Sequence, residues 1–486
     1  ASARPPSCHR KDAQDPSHTV MSGGLRLWQR RCISQAMAHY AVSPHFFCQA
    51  TPGAGKTRMA AELAKRLLDE GKIDLVLCFA PSCQVVEGFR TTFSSVLSRR
   101  LDGRIGAIGS AYTYQAMEFR DQDFWQLFAD YRVLAVFDEI HHCAGSDPSF
   151  SNAWGLQILC RIQDRAEFTL ALSGTPWRTD DKGIALARYS TPDGQLICDY
   201  RYSLREAIAD GVCRSPRIVL LDNNEVTLEE EQGAGSTAKL FSGVEQLLSG
   251  SRVTYEALVR HEEVIERVLD LGCRQLDELR QIRPDAAGLV VATDIEHAEY
   301  IARSLQARNE TYSLVTNKTP NAQQTINRFR TSGSRWIVAV GMISEGTDIP
   351  RLQVCCYLSR IRTELHFRQV LGRVLRRSGE PDRFAWLFML AEEKLRGFAE
   401  RIADDLPDDL AVLSGVPTAK PTIGAADSCV GFMEDVVSGP SQEVDGEDAE
   451  SGAEVNTVLI LGDDVVEGAY KVSFSQHYRQ QLLACF

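Results

Sequence analysis

Ala50-Thr51-Pro52-Gly53-Ala54-Gly55-Lys56-Thr57 follows an apolar run, His45–Ala50, and opens a helical pattern running from Lys56 to Glu70. A strand, a glycine-rich turn and a helix start are the context a phosphate-cradling loop requires. Small residues let successive backbone N–H groups converge on phosphate oxygens, and the helix N-terminus adds the positive end of its dipole. Lys56 supplies a cation for the β- and γ-phosphates, and the Thr57 hydroxyl suits a Mg²⁺ ion. Gly53, Ala54 and Gly55 form the cradle; Ala50 stands where the strict pattern has glycine.

Outward from this loop, short apolar runs alternate with longer helical stretches, the mark of parallel sheets with crossover helices. The pattern occurs twice. The first series has strands at His45–Ala50, Asp74–Ala80, Tyr131–Asp138 and Glu167–Leu172. The second has them at Gly288–Thr293, Tyr312–Val315, Trp336–Val340, Gln353–Leu358 and Ala385–Leu390. The expected division is a disordered lead-in over 1–22, a first lobe over 23–213, a linker with a helical insertion over 214–285, a second lobe over 286–401, and an acidic segment over 402–486. Within the insertion, Tyr255–Ile282 reads as one long helix. In the last segment, Val455–Leu461 and Ala469–Phe474 read as a small strand pair, and Ser438–Ala453 as disordered.

Composition narrows the class. The chain has 486 residues, 44% hydrophobic and 24% charged, with no apolar run long enough to span a bilayer. Its first residues are polar and carry no apolar signal core. The 14 cysteines include no CxxC pair, and several, such as Cys48 and Cys78, sit in strand-like runs, which reads as reduced thiols of a cytoplasmic protein. Residues 401–486 hold 16 acids against 4 bases, which is the whole of the −12 net charge. The rest of the chain is balanced, so a basic groove for nucleic acid is compatible with the acidic total.

Asp138-Glu139 ends the run Val133–Phe137. Strand ends of doubly wound sheets face the ligand crevice. Asp138 is placed there to hold Mg²⁺, and Glu139 to orient or deprotonate an attacking water. In the second series, Gln369-Val370-Leu371-Gly372-Arg373-Val374-Leu375-Arg376 carries two arginines three apart, which on a helix share a face.

With these residues in order, the sequence resembles a superfamily 2 helicase of the branch containing type I and type III restriction motor subunits, XPB, UvsW and RadD. The resemblance covers about Leu25 to Arg377. Ala50–Thr57 is similar to motif I, Asp138–His141 to a DExH motif II, Ser173–Pro176 to motif III, Val340–Pro350 to motif V and Gln369–Arg376 to motif VI. It implies two RecA-like lobes and ATP with Mg²⁺. Catalytic roles would fall to Lys56, Asp138, Glu139, Arg373 and Arg376. Gln29 would read the adenine edge, with Leu27 or Trp28 packed nearby. Gly346 and Asp348 would line the nucleotide, Ser173 and Thr175 would relay its state through His141, and Pro81, Ser82, Thr113, Tyr114 and Thr316 would approach nucleic acid.

The implied activity is an ATP-dependent DNA helicase or translocase, in which arginines of one lobe complete the ATP site of the other and closure drives stepping. Other readings are the duplex-translocating motor of a restriction or phage-defence complex, an RNA helicase, and an ATP-gated scaffold with a protein partner at the acidic segment. DNA is favoured over RNA. Glu392-Glu393-Lys394 has the spacing of an ExK nuclease but reads as a helix start.

Overall fold

The computed structural model of the chain describes residues 24–144, 152–175, 183–190, 196–232, 235–316, 318–341, 349–377, 379, 382–404 and 470–484. The chain divides into two compact units. One comprises Ala1–Ala50 with Gly55–Tyr202, the other Thr51–Ala54 with Ser203–Phe486.

The first unit runs α1 (Leu27–His39), β1 (His45–Ala50), α2 (Lys56–Asp69), β2 (Leu75–Ala80), α3 (Cys83–Leu97), β3 (Gly109–Thr113), α4 (Tyr114–Glu118), α5 (Gln122–Asp130), β4 (Val133–Asp138), α6 (Ala153–Gln157), β5 (Phe168–Ser173), β6 (Arg188–Tyr189), β7 (Leu196–Ile197) and β8 (Tyr200–Tyr202). Its main sheet has the order β3-β2-β4-β5-β1-β8, with every pairing parallel. Strands β4 and β5 are buried at every position. A strand covered on both faces cannot alternate polar and apolar residues, which is why these segments read as continuous apolar runs. Helix α2 turns Met59, Ala60, Leu63, Ala64 and Leu67 inward at helical spacing.

The second unit runs α7 (Leu204–Ala209), β9 (Ser215–Asn223), β10 (Val226–Gln232), β11 (Gly235–Phe241), α8 (Val244–Gly250), α9 (Tyr255–Arg260), α10 (Glu262–Ile282), β12 (Ala287–Val291), α11 (Ile295–Ala307), β13 (Tyr312–Val315), α12 (Ala322–Thr331), β14 (Trp336–Ala339), β15 (Leu352–Tyr357), α13 (Glu364–Val374), β16 (Phe384–Leu390), α14 (Glu393–Asp404), β17 (Tyr470–Phe474) and β18 (Tyr478–Ala484). Its large sheet has the order β13-β14-β12-β15-β16-β9-β18, parallel except for β18. A separate antiparallel sheet joins β11, β10 and β17.

Three expectations need correction. Residues 214–285, expected as a linker with a helical insertion, are in part built into the large sheet. They contribute β9, which pairs along its length with β16, and α10, which packs on the same sheet. A Cβ on Gly272 of α10 would lie 2.5 Å from the Cys356 sulfur and 3.1 Å from the Trp336 ring, so the missing side chain lets the helix lie close against the strands. The expected long helix also breaks at His261, whose extended backbone (ψ 131°) separates α9 from α10. Its ring Nε2 lies 3.1 Å from the Val472 carbonyl of β17.

Tyr470–Phe474 is a strand as read, but it pairs with β10, and β18 was not anticipated. Val455–Leu461 and most of the acidic segment lie outside the described residues, as does the 1–22 lead-in. No helix among the described residues is long and apolar enough to cross a membrane.

Candidate nucleotide site

Parallel register sets the first unit's site. Gln49 pairs with Ser173 and Asp138 with Leu172, so the ends of β1, β5 and β4 lie at one level on the carboxyl edge of the sheet. The phosphate loop, Ser173-Gly174-Thr175 and Asp138-Glu139 leave from those three ends.

Gly53 and Gly55 adopt φ of 82° and 91°, the left-handed region that glycine enters without strain. Gly55 then starts α2. A Cβ there would lie 3.0 Å from the Gln29 amide nitrogen. Gln29 is buried, and both ends of its amide are engaged: Nε2 donates to the Gly55 carbonyl (3.0 Å), and Oε1 accepts from the Arg26 N–H (2.8 Å). The residue expected at the adenine here braces the Gly55 turn. Trp28 stacks on Tyr202 at 4.8 Å in the core, while Leu27 is exposed.

Lys56 donates to the Ala50 carbonyl (3.2 Å) and lies 3.3 Å from Glu139 Oε1. Glu139 has left-handed backbone (φ 49°). Its Oε2 accepts from the Gly174 N–H (3.1 Å) and is 3.5 Å from His141 Nδ1. That nitrogen shares a 3.0 Å hydrogen bond with Ser173 Oγ, which also accepts from the Thr175 N–H (3.1 Å). A continuous polar chain thus links Lys56, Glu139, His141, Ser173 and Thr175 within this unit.

The two carboxyl groups are pushed apart in pKa. Burial first, and then the neighbouring Glu139 carboxylate, raise Asp138 to about 7 against the pull of Lys56. Burial also acts to raise Glu139, but Lys56, His141 and the Gly174 N–H outweigh it and hold the carboxyl at about 2. Buried Asp138 Oδ1 has no hydrogen-bond partner. A buried carboxylate oxygen without a donor is costly unless a cation meets it. Asp138 therefore suits a cation, and Thr57, the other expected Mg²⁺ ligand, lies in the first turn of α2. Among the described residues no cluster of three or more His, Cys, Asp or Glu side chains forms a complete metal cage.

This burial has a measurable consequence. An acid whose folded pKa lies above its unfolded value binds protons more tightly when folded, so ionising Asp138 costs stability as pH rises from 3.8 to about 7. Asp138→Asn removes that cost. Without nucleotide and Mg²⁺, the variant is expected to be more stable than wild type at pH 8, with the gain shrinking toward pH 5. A variant that is less stable at pH 8 contradicts the account.

Two expected nucleic-acid contacts are corrected. Tyr114 is fully buried: its ring stacks on Trp154 at 5.6 Å and its hydroxyl donates to the Asp138 carbonyl (2.7 Å). It braces the Asp138 end of β4 instead of meeting a ligand at the surface. Thr316 is buried too, with its hydroxyl 3.1 Å from that of Thr319. Ser82 and Thr113 are half-buried and cap α3 and α4 through their hydroxyls (3.5 and 3.3 Å), and Pro81 follows β2. Nothing in the sequence pattern separates Tyr114 from a surface tyrosine; only the β3–α4 turn shows where it points.

In the second unit, Arg373 lies on α13, but Arg376 does not. The helix ends at Val374, Leu375 caps it, and Arg376 forms a backbone bridge with Cys213. The two arginines thus do not share a helix face. Gly346 and Asp348 lie outside the described residues. Glu392 stands just before α14: it accepts from the Leu395 N–H (3.0 Å) and pairs with Arg362 (3.0 Å).

Residues 22–178 match the family of the type III restriction enzyme res subunit, and residues 272–378 match the helicase conserved C-terminal domain. An uncharacterized protein of Mycobacterium leprae is 32% identical over 394 residues, 78% of this chain and 64% of that protein. The DNA 3'-5' translocase XPB2 of Sulfurisphaera tokodaii is 23% identical, over 67% of this chain and 73% of that one. A fragment assigned as an HsdR subunit of a type I restriction enzyme from Vibrio vulnificus YJ016 shares the fold, with a TM-score of 0.54 at 17% identity over 79% of this chain and 67% of that chain. The chain spans just under two thirds of the mycobacterial relatives it matches, 64% and 62%. The two matched domains, one in each unit, support a superfamily 2 helicase of the restriction-subunit and XPB type.

Proposed function

We propose that the chain is a nucleic-acid-stimulated ATPase that moves along DNA, with Mg²⁺·ATP held by Gly53, Ala54, Gly55, Lys56, Thr57 and Asp138. The carrying observation is the linked set Lys56–Glu139–His141–Ser173 beside an unpartnered Asp138 oxygen, at one edge of a parallel sheet. Lys56 is poised to exchange Glu139 for phosphate oxygens. Glu139, held ionised, is then free to orient the attacking water, and His141 and Ser173 register that exchange.

In this reading Arg373 and Arg376 meet charge on the γ-phosphate in the reacting state, and Asp348 and Gly346 line the nucleotide. Alternation between states with and without that bridge moves the units on a phosphate-gripped strand. Pro81, Ser82 and Thr113 remain proposed backbone contacts, of the kind that positions nucleic acid without reading sequence.

DNA is preferred over RNA because restriction subunits and a DNA translocase are among the matched proteins. The same matches favour a second reading, the duplex-translocating motor of a restriction or defence complex that does not separate strands. The acidic segment Glu434–Glu467 is then a candidate dock for a protein partner. Displacement of a triplex-forming strand from duplex DNA, set beside unwinding of a fork, distinguishes the two. ATP-dependent activity on either substrate, lost in Lys56→Ala, is expected. Activity on neither, with RNA unwinding instead, contradicts a DNA motor.

A further inference from the structure

Arg214 is fully buried in the second unit, at the start of β9. Its guanidinium is saturated. Nε and one terminal nitrogen donate to the two Asp382 oxygens (2.5 and 2.8 Å). The other terminal nitrogen donates to the carbonyls of Leu352 (2.5 Å) and Val374 (2.6 Å), and the first also reaches the Pro350 carbonyl (2.7 Å). The Arg214 main-chain N–H donates to the Leu375 carbonyl (2.7 Å). Arg283 pairs with Asp382 from the other side (2.7 Å).

The acceptors are not scattered. Val374 and Leu375 are the end of α13, where helical carbonyls lack intrahelical donors. Pro350 and Leu352 are the exit of the Val340–Pro350 segment into β15. The residues beside Arg214 grip the same place. Cys213 bridges Arg376, and the Arg377 guanidinium donates to the Gly211 carbonyl (2.7 Å). Gly211 has φ of 66°, and a Cβ there would lie 2.8 Å from that guanidinium. Residues 211–214 form a strap across the helix exit.

We propose that Arg214 is the positioning residue for the arginine side of the ATP site: it fixes where α13 stops, and so the direction in which Arg376 leaves, and it ties that exit to the exit of the Val340–Pro350 segment. The proposal rests on the reading of Arg373 and Arg376 as γ-phosphate partners. A buried ion pair adds little net stability over a well-packed apolar replacement, so its value here is in specifying one arrangement. Lysine cannot substitute, because one ammonium cannot present a planar fork to Asp382 and three carbonyls together.

The test combines hydrogen exchange with kinetics on the full chain, using Arg214→Ala with and without millimolar guanidinium chloride. Exchange is expected to rise across 371–377 and 349–352 while the α2 segment 56–69 stays as in wild type. Turnover of ATP should fall about 10–100-fold, the scale of a small misplacement of a reacting group, with nucleotide affinity unchanged. Guanidinium, but not equal sodium chloride, should restore part of both. Wild-type exchange at the helix exit overturns the proposal. So does exchange raised throughout the second unit with no guanidinium rescue, which marks a merely structural residue.

If Arg214→Ala does not fold, Asp382→Asn, which keeps the carbonyl bonds, is read by the same two measurements. If the wild-type chain hydrolyses no ATP, the proposed function fails, while exchange at 371–377 still decides the role of Arg214.

Discussion

Glu139→Gln is expected to abolish ATP turnover while leaving the fold and nucleotide binding in place. The side chains are nearly isosteric, so the Lys56, Gly174 and His141 surroundings survive the change in shape but lose the negative charge they are built around. In the wild type those three hold the carboxyl at about 2, ionised at any working pH. In the proposed reaction, phosphates would draw Lys56 away, and the carboxylate, without its strongest partner, would become a better proton acceptor for the attacking water. Removing a general base costs about 10²–10⁴ in rate. Single-turnover hydrolysis measured beside fluorescent-nucleotide binding checks this; turnover near the wild-type rate removes Glu139 from the catalytic role.

Arg376→Ala should be comparably severe and should separate hydrolysis from binding. A guanidinium that meets charge only as it develops on the γ-phosphate contributes to the transition state and not to the ground state, and such groups are worth about 10³–10⁵ in rate. Nucleotide affinity should change far less. The backbone sharpens this expectation, because Arg376 is held by pairing with Cys213 and is not carried on the helix beside Arg373. The two arginines therefore approach by separate routes, and Arg373→Ala need not mimic Arg376→Ala. An equal loss of binding and turnover in Arg376→Ala points to a structural residue instead.

The parts of this site that were legible in the sequence are those whose chemistry and local structure coincide. The phosphate loop combines an apolar strand, glycines that must enter the left-handed region, and a helix start within a dozen residues. The acid pair closes an all-buried strand. Both signals are local, and the structure places their elements as read.

What was not legible depends on pairing between distant segments. Ser215–Asn223 lies between the two strand series in sequence, yet it is held between β16 and β18, which begin at Phe384 and Tyr478. Tyr114 and Thr316 sit in segments with the residue types of a phosphate-contacting loop. Their burial follows from the β3–α4 turn and from the Thr316–Thr319 hydroxyl pair, and neither leaves a periodic trace. The three-residue spacing of Arg373 and Arg376 is correct for a helix, but Arg214 and Cys213, some 160 positions earlier, end that helix between them.

The most direct test of the motor account is the steady-state ATPase rate of the chain with no nucleic acid, single-stranded DNA, duplex DNA, forked DNA and RNA, with Lys56→Ala as the control. The account predicts stimulation by DNA that weakens as salt rises, because grip on phosphates releases counterions, and no turnover in Lys56→Ala. An ATPase rate that no nucleic acid changes, at low salt and with Mg²⁺ present, contradicts it.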